Sequence, residues 1–217
     1  RDKVSNRALI LRACLDIDYG LMFQDSWNAK AVKEFLKTES ALLSALMLLV
    51  YLCAGQAARS TELFSIECSN SSSGSRGVYV HLGRIMFVTR HSKARKSTNN
   101  EFHVARFLNK EDSQLFAAYL IHIRPLAAIL QRECYKRTSE RMVLFSSSDN
   151  PTVPWGAGKL SGDLRKLTKK TCGTPFGIQI YRQLSIAITK RHLINISKPF
   201  DRFDESDPDS TEKVFAW

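Results

Sequence analysis

Gly55-Gln56-Ala57-Ala58-Arg59-Ser60-Thr61-Glu62-Leu63 follows an almost wholly apolar run, Ala41 to Cys53, that carries Leu42, Leu43, Leu46, Met47, Leu48, Leu49 and Val50. The run reads as a buried helix over 40–53. Gly55 is suited to end it with a left-handed turn. Ser60 or Thr61 can cap a following helix that reaches about Ile66, with Glu62 in its first turn. One arginine, Arg59, is thereby held between two packed helices. Its planar guanidinium can make two parallel hydrogen bonds, a geometry that suits a phosphate. A salt bridge from Arg59 to Glu62 is the plainer reading of the same residues.

Upstream, residues 1–38 read as two or three short helices that form a helical lead-in. Leu9, Ile10, Leu11 and Cys14 make one apolar cluster there, and Trp27, Val32, Phe35 and Leu36 another. Downstream, a polar Ser/Gly loop over 69–75 leads into a β region. Val78-Tyr79-Val80 and Ile85-Met86-Phe87-Val88 read as a hairpin with Gly83 in its turn. A third run, 102–108, follows a basic loop over 90–100 and completes a three-stranded antiparallel sheet. Helices are then expected over 112–122 and over 126–135 behind Pro125. Two more are marked by Leu160, Leu164 and Leu167, and by Ile180, Leu184, Ala187 and Ile188. Val143-Leu144-Phe145 is a short apolar run. The expected fold is α+β and mostly α: a helical bundle with a small three-stranded antiparallel sheet on one edge. The core domain spans 39–200. From Asp201 the chain turns acidic (Asp201, Asp204, Glu205, Asp207, Asp209, Glu212), so 201–217 reads as an acidic linker before an apolar restart at Val214-Phe215-Ala216-Trp217.

The chain has 217 residues, of which 44% are hydrophobic, enough for one sizeable core and too many for a disordered tail. Its formal charge of +11 favours a polyanionic partner, nucleic acid foremost. No basic amphipathic helix with a clean apolar face stands out, and the run 41–53 is too short to cross a bilayer, so no membrane partner is expected. The five cysteines (Cys14, Cys53, Cys68, Cys134, Cys172) are scattered without a Cys-x-x-Cys pair. That pattern fits reduced thiols inside a cell and fits neither a disulfide framework nor a zinc site. No secretion signal is visible, and Arg1 in place of an initiator methionine reads as a piece of a longer protein.

Two basic clusters flank the expected core. The first lies on the β region: Arg84, Arg90, Lys93, Arg95, Lys96 and Arg106. The second lies on the late helices: Lys159, Arg165, Lys166, Lys169, Lys170, Arg182, Lys190 and Arg191, opposed by Asp163 alone. Such paired patches suit a domain that grips a phosphate backbone from two sides. Candidate DNA contacts are Arg90, Arg95, Lys96, Arg106, Lys159, Arg165, Lys169 and Lys190. Lys93, at the end of the second strand, can serve as proton donor or phosphate contact. Arg182, in Gln179-Ile180-Tyr181-Arg182-Gln183, lies over an apolar stripe and is tethered to a packed helix. Gly156-Ala157-Gly158-Lys159-Leu160-Ser161 lacks the early glycine of a phosphate loop, since position 153 is valine. The five histidines show no metal spacing.

Taken in order, these stretches resemble the catalytic domain of tyrosine recombinases and phage-type integrases. The nearer likeness is to fungal recombinase-like domains of transposon-type proteins and of relatives of telomere-linked RecQ-type helicases. The stretches that carry it are 54–63; 83–93; Ala105-Arg106-Phe107-Leu108; Tyr119-Leu120 with Arg124-Pro125-Leu126; and Tyr181 to Ile188. The resemblance implies that Arg59 and Arg182 are the two catalytic arginines, Lys93 the hairpin lysine and Glu62 the acidic group that orients Arg59. Gln179 stands where the family often has histidine, which keeps a hydrogen bond but removes an acid–base group. It further implies phosphodiester exchange through a 3′-phosphotyrosyl link, with no metal and no nucleotide cofactor. The partners implied are double-stranded DNA and further copies of the chain on it, in the nucleus. The family's nucleophilic tyrosine lies after the second-arginine helix, and no tyrosine follows Arg182 in this sequence. The expectation is a recombinase-type domain cut short of its nucleophile, with two alternatives: a non-catalytic DNA-binding module derived from one, or a helical protein-interaction domain.

Overall fold

A computed structural model describes residues 20–23, 26–71, 74–91 and 102–193; for Phe23, Arg90, His91, Phe102 and Leu193 it describes the backbone alone. The lead-in cluster around Leu9, the acidic linker, and Lys93, Arg95 and Lys96 lie outside the described residues.

The first described elements are two-residue strands β1 (Met22–Phe23) and β2 (Ser26–Trp27), paired antiparallel. A single helix α1 (Ala29–Cys53) follows, 25 residues long and capped by the Asn28 side chain, which accepts from the Ala31 N–H at 3.2 Å. The expected start at residue 40 is thus corrected to 29, and the helix runs through the 38/39 boundary placed between lead-in and core. Nothing in Ala29–Cys53 breaks a helix, since it holds neither glycine nor proline. The polar triplet Thr38-Glu39-Ser40 lies inside this helix. Glu39 is buried there, bound by the Arg141 guanidinium and the Tyr119 hydroxyl, each at 2.7 Å.

Gly55 ends α1 with φ +92°, the left-handed conformation its lack of a side chain permits. The short helix α2 (Ser60–Phe64) follows. Its cap position is Arg59 and not Ser60 or Thr61: Glu62, three residues on, accepts the Arg59 backbone N–H at 3.2 Å.

The sheet is as expected: β3 (Val78–His81), β4 (Arg84–His91) and β5 (Phe102–Phe107), antiparallel in that order. His81 pairs with Arg84, which leaves Leu82-Gly83 as a two-residue turn with φ +48° and +73°. Positive φ at both centres matches the twist of the flanking strands. Ile85, Phe87 and Thr89 alternate along the core face of β4.

Helix α3 (Lys110–Ala118) is capped by Asn109 and runs through a π-helical turn, Tyr119–Ile123, into α4 (Arg124–Tyr135). Pro125 has no N–H to give the ladder, and the wider turn sits directly before it. Helices α5 (Ala157–Cys172) and α6 (Ile178–Leu193) complete the described chain. Val143-Leu144-Phe145 is not a strand of the sheet. It bridges to Glu67, and the Leu144 N–H donates to the Ile66 carbonyl at 2.8 Å.

The fold is α+β with a three-stranded antiparallel sheet. The main core joins Leu43, Leu46, Met47, Val50 and Tyr51 of α1 to Leu63 and Phe64, to Ile85 and Phe87 of the sheet, and to Leu160 and Leu164. A second cluster sets Leu21, Val32 and Leu36 against Leu126, Ala127 and Leu130, with Trp27 and Phe35 packed on it. Two helical runs, Ala29–Cys53 and Lys110–Tyr135, are long and apolar enough by length and composition to cross a membrane, where the shorter reading of the first excluded it. In this fold their apolar faces build the two clusters just described.

Candidate nucleic-acid interface

The last turn of α1 is the landmark of the site. Arg59 leaves from it by way of the turn after Gly55, whose Ala54 and Ala58 are buried in the main core. That turn is therefore packed down, and Arg59 has a defined starting point. Its side chain is 38% exposed, and its Nε lies 3.9 Å from Glu62 Oε1. The Glu62 side chain is 12% exposed. The carboxylate so holds Arg59 at two points, backbone and guanidinium, while the side chain stays partly exposed.

Arg182 comes to the same end of α1 on the first half of α6. Ile178 and Tyr181 pack on the main core, and the Tyr181 ring meets Tyr51 with centroids 5.4 Å apart. The Arg182 Nε is buried and has no hydrogen-bond partner among the described residues; the same is true of the Tyr51 hydroxyl. Burial pushes that hydroxyl up to about 12, and the positive charge of Arg182 acts against the rise. Arg182 thus lies beside Tyr51 in the last turn of α1, and Arg59 caps the helix that follows α1 in the chain. Lys93, the third member expected, lies outside the described residues.

The apolar stripe under Arg182 is corrected. Ile180, Leu184 and Ile188 do not pack inward; they are 57%, 44% and 52% exposed. Residues Ile178 and Tyr181, one step around the helix, make the contact with the core instead. Gln179 is exposed on the outer side.

Arg106, expected as a DNA contact, is turned inward and 7% exposed. It stands opposite Phe87 in the sheet. Directly opposed residues of antiparallel strands share a face, so it points to the core side. Its Nε donates to the Gln56 carbonyl at 3.2 Å, one terminal nitrogen donates to the Thr89 hydroxyl, and the other lies 3.9 Å from Glu62 Oε2. Burial lowers the guanidinium pKa and the Glu62 charge pulls it back up. The signal was present in the alternation Val104, Arg106, Leu108, which sets the arginine between two inward positions. Arg124, quoted within the resemblance, is likewise internal: it donates to the Leu144 and Val143 carbonyls at 3.0 and 2.9 Å.

The second basic cluster is outward. Arg165, Lys166, Lys169 and Lys170 occupy the exposed side of α5, opposite buried Leu160, Leu164 and Thr168, and Lys190 and Arg191 are exposed near the end of α6. Lys159 is engaged already, with its ammonium 3.0 Å from Asp163 and 4.6 Å from the Trp155 ring centroid. Of Arg90 only the backbone is described; it pairs with His103 across the sheet. Among the described residues no group of His, Cys, Asp and Glu is arranged to hold a metal ion.

Neither a known protein-family model nor a solved structure matches the chain.

Proposed function

We propose that this domain binds double-stranded DNA and addresses one backbone phosphate with Arg59 and Arg182, in the manner of a tyrosine-recombinase-type domain that cleaves and rejoins strands. One observation carries the reading. Arg59 is partly open, is oriented by a carboxylate and caps the helix after α1, while Arg182, beside the last turn of α1, has a buried donor with no hydrogen-bond partner among the described residues. A phosphodiester oxygen is the acceptor such donors suit, because a charge-assisted bond to it is roughly twice as strong as a neutral one. The outward cations of α5 support the same partner, since they add charge that a duplex neutralises without reading sequence.

In strand exchange the two arginines stabilise the charge that builds on the non-bridging phosphate oxygens. Lys93 is proposed to protonate the departing 5′ oxygen. The tyrosines beside Arg182 are not given the nucleophile's part. Tyr51 is 2% exposed with its hydroxyl pushed up in pKa, and Tyr181 packs on Tyr51 with its own hydroxyl raised by burial. Cleavage by this reading needs a tyrosine other than these two.

The test is equilibrium binding of a fluorescent duplex by the whole chain over a salt series. Log affinity should fall linearly with log salt, and steeply. Arg59→Ala and Arg182→Ala should each weaken binding about tenfold or more and flatten the slope by about one contact. Binding that is absent, or indifferent to both salt and Arg59, ends the proposal.

A second reading, a helical protein-interaction domain, draws on the exposed Ile180, Leu184 and Ile188. It predicts no steep salt dependence with duplex DNA, so the same titration separates the two.

A further inference from the structure

The Arg106 guanidinium is a cation placed where the sheet's alternation calls for an apolar side chain. Burying it is expensive unless its donors are met, and buried ion pairs replaced by well-packed apolar residues often leave stability unchanged or raised. Its partners have a pattern. Thr89 belongs to β4, Gln56 to the turn after Gly55, and Glu62 to the first turn of α2. The three are the sheet, the segment that delivers Arg59, and the carboxylate that orients it. Glu62 stands between the two arginines. One oxygen lies 3.9 Å from the Arg59 Nε, and the other accepts the Arg59 N–H at 3.2 Å while lying 3.9 Å from Arg106.

We propose that Arg106 is a positioning residue for Arg59: it holds Glu62 and the Gln56 carbonyl against the sheet, and so fixes where the Arg59 guanidinium meets a phosphate. This rests on the reading of Arg59 as a phosphate contact. The fork is what the task requires. One planar group sends donors to three separate elements, which an ammonium on a flexible stem does not do. Arg106 never touches the DNA in this account. Its effect on binding passes wholly through Arg59.

A double-mutant cycle on duplex binding by the whole chain tests this, with far-UV circular dichroism and a melting curve run on each variant. Arg106→Gln alone is expected to weaken binding several-fold, approaching the loss given by Arg59→Ala. In the Arg59→Ala background it should change affinity less than twofold, because no guanidinium remains to be placed. Thr89→Val removes one anchor with little change of shape and serves if Arg106→Gln fails to fold. It should lower affinity in the parent and not in the Arg59→Ala chain. Arg106→Lys, which keeps the charge without the fork, should not restore binding. Equal losses in both backgrounds would make Arg106 an independent contact and overturn the proposal, as would parent binding that neither Arg106→Gln nor Thr89→Val alters. A parent chain whose binding ignores Arg59 defeats the underlying reading first, and is told apart by the Arg59→Ala single variant.

Discussion

Tyr51 has 2% of its surface exposed and a hydroxyl with no hydrogen-bond partner among the described residues. A phenol in that position holds its proton more tightly in the native state than in the unfolded chain, from an ordinary value of 10.0 up to about 12. The sign of the pH dependence follows. Below pH 10 both states are protonated and the native state keeps its full advantage. Between pH 10 and about 12 the unfolded chain releases its proton and the native state does not, so stability falls, by up to about 3 kcal/mol at two pKa units. Tyr119 moves in the same direction, raised by burial. Tyr51→Phe should therefore flatten the decline of melting temperature over that alkaline range, with little loss at neutral pH because among the described residues no bond is given up. An unchanged alkaline slope in the variant would show that the hydroxyl ionises as freely in the native state as in the unfolded chain. Arg59 and Glu62 were readable from their spacing alone, since Arg-x-x-Glu across a helix start is a local pattern. Arg106 was not, because a list of cations carries no information about direction. Only its place in the β alternation does.

At the scale of elements, the two late helices differ in what their apolar residues do. Leu160 and Leu164 of α5 are fully buried and belong to the main core, whereas Leu184 of α6 is 44% exposed. Leu164→Ala should cost about 2–5 kcal/mol, the range for a large-to-small change in a packed site. Leu184→Ala should cost under about 1 kcal/mol. Chemical denaturation of the two variants checks the contrast, and a Leu184 loss as large as that of Leu164 would mean a covered surface. Both helices were evident in the sequence from i, i+4 spacing. Periodicity shows that a helix has an apolar stripe; it does not say what the stripe meets, and for α6 the expected inward stripe points outward. The hairpin was legible for a firmer reason. A glycine between two β-rich runs leaves few turns open, and Leu82 is carried into positive φ beside it. The start of α1 was missed because the apolar run that marks it begins only at Ala41, while Glu39, inside the helix, takes its partners from far along the chain.

Those partners matter for the whole molecule. Glu39 lies on α1 between Val32 and Leu36, which serve one apolar cluster, and Leu43 and Leu46, which serve the other. Its side chain is fully buried and receives the Tyr119 hydroxyl and the Arg141 guanidinium, each at 2.7 Å. Arg141 is 9% exposed and also donates to Ser146. One carboxylate thus ties α1 to the π-helical turn and to the segment after α4, at sequence separations of 80 and 102. Such separations explain why no local pattern announces the tie. Arg141→Met removes the cation and leaves a buried carboxylate with the tyrosine hydroxyl as its remaining donor, which should cost about 3–5 kcal/mol. Adding Glu39→Gln takes away the orphaned charge, so the double variant should be more stable than the sum of the two single losses allows. Urea denaturation of the four chains measures that difference. A strictly additive cycle would mean that Arg141 is held by Ser146 alone, and that apolar packing, without this ion pair, joins the two clusters across α1.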